Sequence, residues 1–127
     1  MLTKILNIVV LLTTMLCANA VNAGDLEDGQ AAYAKKNYAA AMAYFKKAAA
    51  AGRADAQSNL GFMYGNGQGV VQDHVRAHMW WNLAAVKGDA DAVKNRDIVA
   101  ARMTTQQIAQ AQKLARGCQA RDYKNCD

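Results

Sequence analysis

A nine-residue pattern occurs twice in this chain, and its two copies begin 36 positions apart, at Ala41 and Ala77. The first copy reads AMAYFKKAA and the second reads AHMWWNLAA, and a glycine follows each at the same distance, as Gly52 and Gly88. Alanines continue in the same register beyond both glycines. A fixed period of this size is typical of stacked supersecondary units. The pattern therefore predicts a repeat architecture and favours a function in holding partners.

The spacing of apolar residues predicts six helices and no strand, because they recur three and four positions apart without an alternating β-branched run. The predicted helices cover about residues 25–36, 38–51, 54–64, 73–87, 89–102 and 104–116. They pair as three antiparallel hairpins, so the predicted fold is an all-α, short α-solenoid. Gly29 and Gly61 match at a shift of 32, which places four extra residues in the glycine-rich segment after the third helix. Arg96 and Asp97 make the third unit polar, as a capping repeat requires.

The first 23 residues read as a cleavable export signal that takes no part in the fold. Lys4 is their only charge, and the apolar stretch 5–16 is too short to cross a bilayer as a helix. Small residues place the cleavage after Ala20 or Ala23, and the polar pattern that begins at Gly24 favours Ala23. The predicted divisions are a signal peptide (1–23), a solenoid domain (24–117) and a tail (118–127), in a protein that is periplasmic or secreted.

Two cysteines, Cys118 and Cys126, remain when Cys17 leaves with the signal. An even count in an exported chain predicts one disulfide, which would tie the C-terminal tail to the end of the last helix. The spacing is far from Cys-x-x-Cys, so a structural bridge is favoured over a redox-active pair.

The charge pattern excludes some classes of partner. The mature chain has fourteen basic and ten acidic residues, which are interspersed and form no Lys/Arg run. Such a mild excess is typical of a solvated surface and does not indicate a nucleic-acid partner. We also expect no membrane span in the mature chain.

The helix pair from the third to the fourth helix carries the most specific pattern of the sequence. Its defining positions are Ala56, Leu60, Gly61, Tyr64, Gly67, Gly69, Asp73, Ala77, Trp80, Ala84, Ala85 and Gly88. This pattern resembles the Sel1-like repeat, a tetratricopeptide-related helix pair of about 36 residues. The resemblance covers about residues 29–116, and the first unit matches only in its second half, because its turn at Lys36 and Asn37 looks like an ordinary tetratricopeptide connection.

The resemblance implies an exported adaptor or scaffold that binds another protein or a peptide segment, with no cofactor and no catalysis. An alternative is an envelope enzyme or small-ligand-binding protein that acts on cell-wall or β-lactam-like molecules, as credited to some cysteine-rich relatives. Those relatives carry a disulfide in each repeat, which this chain lacks. A third alternative is a structural fragment whose copies stack end to end, so self-association stays open.

The partner surface is expected on the first helix of each pair, because these helices line the concave side of tetratricopeptide-like stacks. Three short pairs would form a shallow groove for a peptide or one helix. The positions expected to face this groove are Gln30, Tyr33, Asp55, Ser58, Phe62, Lys94 and Arg102.

Other residues permit sharper interpretations, which their surroundings disfavour. His74 and His78 have a chelating spacing, but no third ligand is obvious and no metal site is predicted. The segment Gly65–Gly69 precedes no Lys-Ser/Thr, so a helix-reversing turn with positive φ is favoured over a phosphate site. Ser58, the only serine, lacks the Gly-x-Ser-x-Gly context of a nucleophile.

The paired tryptophans receive different predictions. Trp80 occupies the inter-repeat core position of the pattern, whereas Trp81 lies one step round the helix and is expected to be only partly buried.

Overall fold

Six helices and no strand make up the part of the chain that the computed structural model describes, residues 24–127. The export signal predicted for residues 1–23 lies outside the described residues. The helices are α1 (residues 24–34), α2 (Tyr38–Ala50), α3 (Ala54–Asn66), α4 (His74–Val86), α5 (Ala90–Ala100) and α6 (Thr105–Ala120). The prediction of an all-α solenoid is confirmed. No helix of residues 24–127 is long and apolar enough to cross a membrane.

Most of the helices begin at a polar residue whose side chain caps the helix N-terminus. The Asp73 side chain accepts a hydrogen bond from the Arg76 backbone N–H at 3.0 Å, and Asp89 accepts one from Ala92 at 2.9 Å. Thr104 forms a reciprocal capping box with Gln107 at the start of α6. These side chains satisfy backbone donors that have no partner inside the helix. The positions of the helix starts therefore follow from the local sequence.

The repeated glycines end the second helix of each of the first two pairs. Gly52 and Gly88 have φ values of 86° and 95°. After α2, the Gly52 N–H donates to Ala49 and the Arg53 N–H donates to Ala48, which is the Schellman pattern. Gly88 and Asp89 make the same two bonds at the end of α4. Both glycines therefore recur in the sequence because each copy of the repeat ends in the same left-handed turn.

Two helices extend further than the sequence predicts. The third helix passes Gly65 and ends at Asn66, since the left-handed residue that stops it is Gly67, at φ 66°. The sixth helix passes Gly117, where the sequence predicts its end, and continues to Ala120. A glycine inside a helix costs only about 1 kcal/mol relative to alanine, so packing of the last turn can override it. Cys118 lies in this last turn and is fully buried.

The core lies between the first helices of the pairs, α1, α3 and α5, and the second helices, α2, α4 and α6. α4 is central, since it packs against α3, α5 and α6, while α2 packs against α3. The small-residue columns allow this close approach, because Ala48, Ala49 and Ala84 have no exposed surface. The large side chains that fill the space between them are Phe45, Leu60, Met63, Met79, Trp80 and Leu83. The burial of Trp80, which is 3% exposed, confirms its predicted place in the core.

The connection between α3 and α4 holds the inserted residues. It covers residues 67–73, four more than the connection 35–37 between α1 and α2. Gly69 has a φ of 74° and approaches Tyr38 so closely that an added Cβ would lie 2.9 Å from the Tyr38 carbonyl oxygen. The Tyr33 hydroxyl donates to Gln68 Oε1 at 2.9 Å. The predicted turn with positive φ is therefore confirmed at Gly67 and Gly69, and the turn packs against the first helix pair.

The C-terminal tail is fastened to the solenoid by a disulfide and polar contacts. Cys118 and Cys126 are bridged, with their Cα atoms 5.0 Å apart, which confirms the predicted pairing. Asp127 accepts a hydrogen bond from Trp80 Nε1 at 3.2 Å and pairs with Lys46 at 2.8 Å. Lys124 Nζ donates to the Ala50 carbonyl oxygen at 2.7 Å. The tail thus connects the last helix back to α2 and α4.

Candidate partner-binding groove

Three adjoining depressions lie on the face formed by α1, α3 and α5, and Phe62 borders all of them. Their volumes are about 310, 410 and 160 Å³. The first lies between α1 and α3, and the other two lie between α3 and α5. We call the three together the groove. Because it crosses the first helix of every pair, the groove is a property of the stack and not of one repeat.

All seven positions that the sequence predicts for a partner surface line this groove. Gln30 and Tyr33 border the first depression, Asp55, Ser58 and Lys94 border the second, Arg102 borders the third, and Phe62 borders all three. The structure therefore brings residues from three helix pairs onto one continuous face.

These side chains differ in how much surface they present. Phe62 is 40% exposed and lies edge-on to Trp81, with ring centroids 5.5 Å apart. Ser58 is buried. The Tyr33 hydroxyl is already engaged by Gln68. Among the seven predicted positions, Phe62 is thus the main apolar contact point of the groove, and Tyr33 also stabilises the α3–α4 connection.

The expectation of a partly buried Trp81 is wrong, because its side chain is only 6% exposed. Its indole packs against α3 at Gly61, and its Nε1 donates to the Ser58 carbonyl oxygen at 3.2 Å. The absence of a side chain at Gly61 opens the space that the ring fills. Trp81 therefore lies beneath the groove surface, where its ring supports the side chain of Phe62.

Sequence analysis did not predict several residues of the groove, although the register of the repeat could have revealed them. Asn59, Asp89, Asp91 and Asn95 line the second depression, and Ile98 lines the third. At the period of 36, Asp91, Asn95 and Ile98 are the equivalents of Asp55, Asn59 and Phe62. The groove thus carries an Asp–Asn–apolar stripe twice, once on α3 and once on α5.

The second depression is the acidic part of the groove. It is lined by three aspartates, Asp55, Asp89 and Asp91, and by one lysine, Lys94. Because Asp55 is paired with Arg53 at 2.8 Å, Asp89 and Asp91 against Lys94 leave one net negative charge. Burial alone would raise the pKa of Asp55, but hydrogen bonds from Arg53 and from the Ala56 backbone outweigh it, so the pKa lies below its ordinary value. None of the ion pairs within residues 24–127 involves Asp89, Asp91 or Lys94.

The two histidines occupy different environments. His74 lines the third depression, whereas His78 is 3% exposed and its Nδ1 has no hydrogen-bond partner within the described chain. Burial, and next the positive charge of Arg96, lower the pKa of His78. Across residues 24–127, no three His, Cys, Asp or Glu side chains converge on a point where a metal ion could be held.

The stacked hairpins, the Schellman turns and the groove define the chain as a short α-solenoid of paired-helix repeats. The family model of the Sel1 repeat matches residues 21–52 and 54–89, and the chain belongs to the Sel1 repeat family. The first match covers the whole first unit, not only its second half. Sel1 repeats form scaffolds of the protein–protein interaction kind.

The chain is similar over most of its length to a solved structure. It is the crystal structure of c5321, a protective antigen present in uropathogenic Escherichia coli strains, which displays an SLR fold. The two chains share 27% sequence identity with a TM-score of 0.74 over 80% of this chain. The matched region is 24% of the c5321 chain, so this chain spans about a quarter of that structure. No curated protein sequence matches the chain.

Proposed function

We propose that the chain is an exported, non-catalytic interaction module that binds another protein or a peptide segment in the groove. We further propose that it acts in the periplasm or after secretion. The single observation that carries the proposal is the continuity of the groove across three helix pairs, with Phe62 at its centre. A surface of this kind requires the whole stack, so a function in the groove explains why the repeats are combined.

The surroundings of the polar groove residues support binding over catalysis. Asp89 caps α5, and Asp55 pairs with Arg53 at 2.8 Å. Ser58 is buried beneath the groove surface. A catalytic site needs titratable groups that converge on a reacting atom, whereas these groups stabilise helix ends and packing.

Affinity capture with groove variants tests the proposal. The bait is the mature chain, residues 24–127, and the extract comes from the envelope of cells that express the protein. We expect Phe62→Ser and Ile98→Ser, each changing an exposed apolar groove residue, to lose a partner that the unchanged chain retains. The residues whose truncation weakens an interface by more than about 1 kcal/mol cluster near its centre.

The matched control is Val71→Ser, which removes an apolar side chain that is 88% exposed in the α3–α4 connection. The helical circular dichroism and the melting temperature of each variant are measured first. A partner held equally by the groove variants and by Val71→Ser would contradict binding in the groove.

A further inference from the structure

The stripe on α3 and its equivalent on α5 specify the chemistry of an occupant of the groove. Each stripe presents an aspartate, then an asparagine one helical turn later, then an apolar residue on the same face: Asp55, Asn59 and Phe62, and then Asp91, Asn95 and Ile98. Side chains three and four positions apart lie on one face of a helix. The duplication therefore offers the same three kinds of contact at two neighbouring points of one surface.

The two asparagines suit the backbone of an extended chain. A side-chain amide donates and accepts hydrogen bonds at once, as a peptide group also does. Neighbouring helices pack 8–10 Å apart, and an extended chain rises about 3.3 Å per residue. An extended segment that crosses α3 and α5 would therefore meet Asn59 and Asn95 at positions about three residues apart, and in the polyproline II form, which has three residues per turn, both positions present the same side of the backbone.

The charge of the same surface favours a basic side chain. The second depression has more acidic than basic side chains even with Asp55 paired to Arg53, since Asp89 and Asp91 outnumber Lys94, although residues 24–127 carry four net positive charges. Asp89 uses Oδ1 to cap α5, and neither Asp89 nor Asp91 takes part in an ion pair within the described chain. A lysine or arginine of an occupant would find a carboxylate partner there.

We infer that the groove binds an extended segment of a partner that carries a lysine or arginine opposite Asp89 and Asp91 and a bulky apolar residue against Phe62. This inference rests on the proposed function and adds the charge and conformation of the partner. The asparagines hold the backbone, the aspartates select the basic residue, and Phe62 and Ile98 bury the apolar one.

The test selects peptides from a random displayed library of sequences about ten residues long, using residues 24–127 as the target. We expect the selected peptides to share a lysine or arginine at a fixed distance from a bulky apolar residue. The most enriched peptide is then made with its basic residue intact or replaced by norleucine, and its affinity is measured by fluorescence anisotropy at low and high salt.

The variant Asp89→Asn/Asp91→Asn removes both charges and keeps an effective N-cap, because asparagine caps helices as well as aspartate does. We expect it to weaken the basic peptide about fivefold, with no effect on the norleucine peptide. The matched control, Asp122→Asn, removes an exposed charge in the tail and should leave both affinities unchanged. Asp91→Lys should reverse the preference and favour a peptide whose basic residue is changed to glutamate, which a purely structural effect would not do.

The outcomes separate the inference from the proposed function. The selected peptides could compete with one another and bind Phe62→Ser more weakly, yet show no preference for basic residues. This result would overturn the inference and leave the groove function standing. Peptides selected as regular helices instead of extended segments would overturn it as well. If the library yields no peptide that Phe62→Ser weakens, both the inference and the groove function fail.

Discussion

Gly61 on α3 lies directly beneath the indole of Trp81 on α4, and a Cβ added at Gly61 would lie 2.6 Å from Trp81 Cδ1. The same relationship holds one repeat earlier, where a Cβ at Gly29 would lie 2.6 Å from Phe45 Cε1. In both pairs a glycine on the first helix thus faces an aromatic ring on the second. This contact sets the distance between the helices and fixes the ring that supports Phe62.

We expect Gly61→Ala to destabilise the fold by about 1–2 kcal/mol. Overpacking typically costs about 1–3 kcal/mol, and replacing a helical glycine by alanine recovers up to about 1 kcal/mol. The added methyl group would displace the indole and weaken its hydrogen bond to the Ser58 carbonyl oxygen. Urea denaturation followed by circular dichroism measures the free energy of unfolding, and Trp fluorescence reports the displaced ring.

The control for this substitution is Gly117→Ala in α6. Its new methyl group would meet only the Arg121 guanidinium, 3.3 Å away, which can move aside. We therefore expect Gly117→Ala to be neutral or to stabilise by up to about 1 kcal/mol. Equal losses at both positions would show that the ring contact at Gly61 is not the cause.

Local sequence signals predicted the fold well because they act within one repeat. The Schellman glycines predict the turns in which they lie, and the alanine columns predict where the helices pack closely. The seven predicted groove positions follow from the geometry of the repeat. The features that the sequence did not predict depend on packing between helices. The burial of Trp81 depends on the space above Gly61, and the extension of α6 past Gly117 depends on the packing of Cys118 and the docked tail. No local pattern marks either contact.

The buried His78 should make stability depend on pH. Its pKa is lowered in the folded chain, first by burial and next by Arg96, and lies near 6.5 when unfolded. The unfolded chain therefore binds a proton more readily, so the free energy of unfolding falls as the pH drops below about 6.5. Urea denaturation at several pH values between 7.5 and 5 measures this fall.

The variant His78→Leu tests whether this histidine causes the pH dependence of stability. It removes the titrating group together with a buried nitrogen that has no partner in the described chain, so we expect it to be as stable as the unchanged protein at pH 7.5 and more stable at pH 5. His74→Leu is the matched control. A pH dependence that persists in His78→Leu and disappears in His74→Leu would contradict the prediction.

Export should remove the first 23 residues. The apolar segment 5–16 and the small residues before Gly24 predict cleavage after Ala23. We expect mass spectrometry of the full chain expressed in bacteria to find, in the periplasm or the medium, a species that begins at Gly24. Ala23→Leu should block this cleavage, because a signal peptidase requires a small residue there. A full-length chain that stays in the cytoplasm would contradict the proposed export.

The disulfide and Asp127 should stabilise the fold to different extents. Removing the bridge in Cys118→Ala/Cys126→Ser frees the tail in the unfolded chain and should cost about 2.5 kcal/mol by the loop-entropy argument. Asp127→Asn keeps the bridge and loses only the partly exposed pair with Lys46, so it should cost less than about 1 kcal/mol. Denaturation with and without a reductant measures both effects. The reductant should lower the stability of Asp127→Asn and leave the cysteine-free variant unchanged, whereas equal sensitivity of the two would mean that it acts elsewhere.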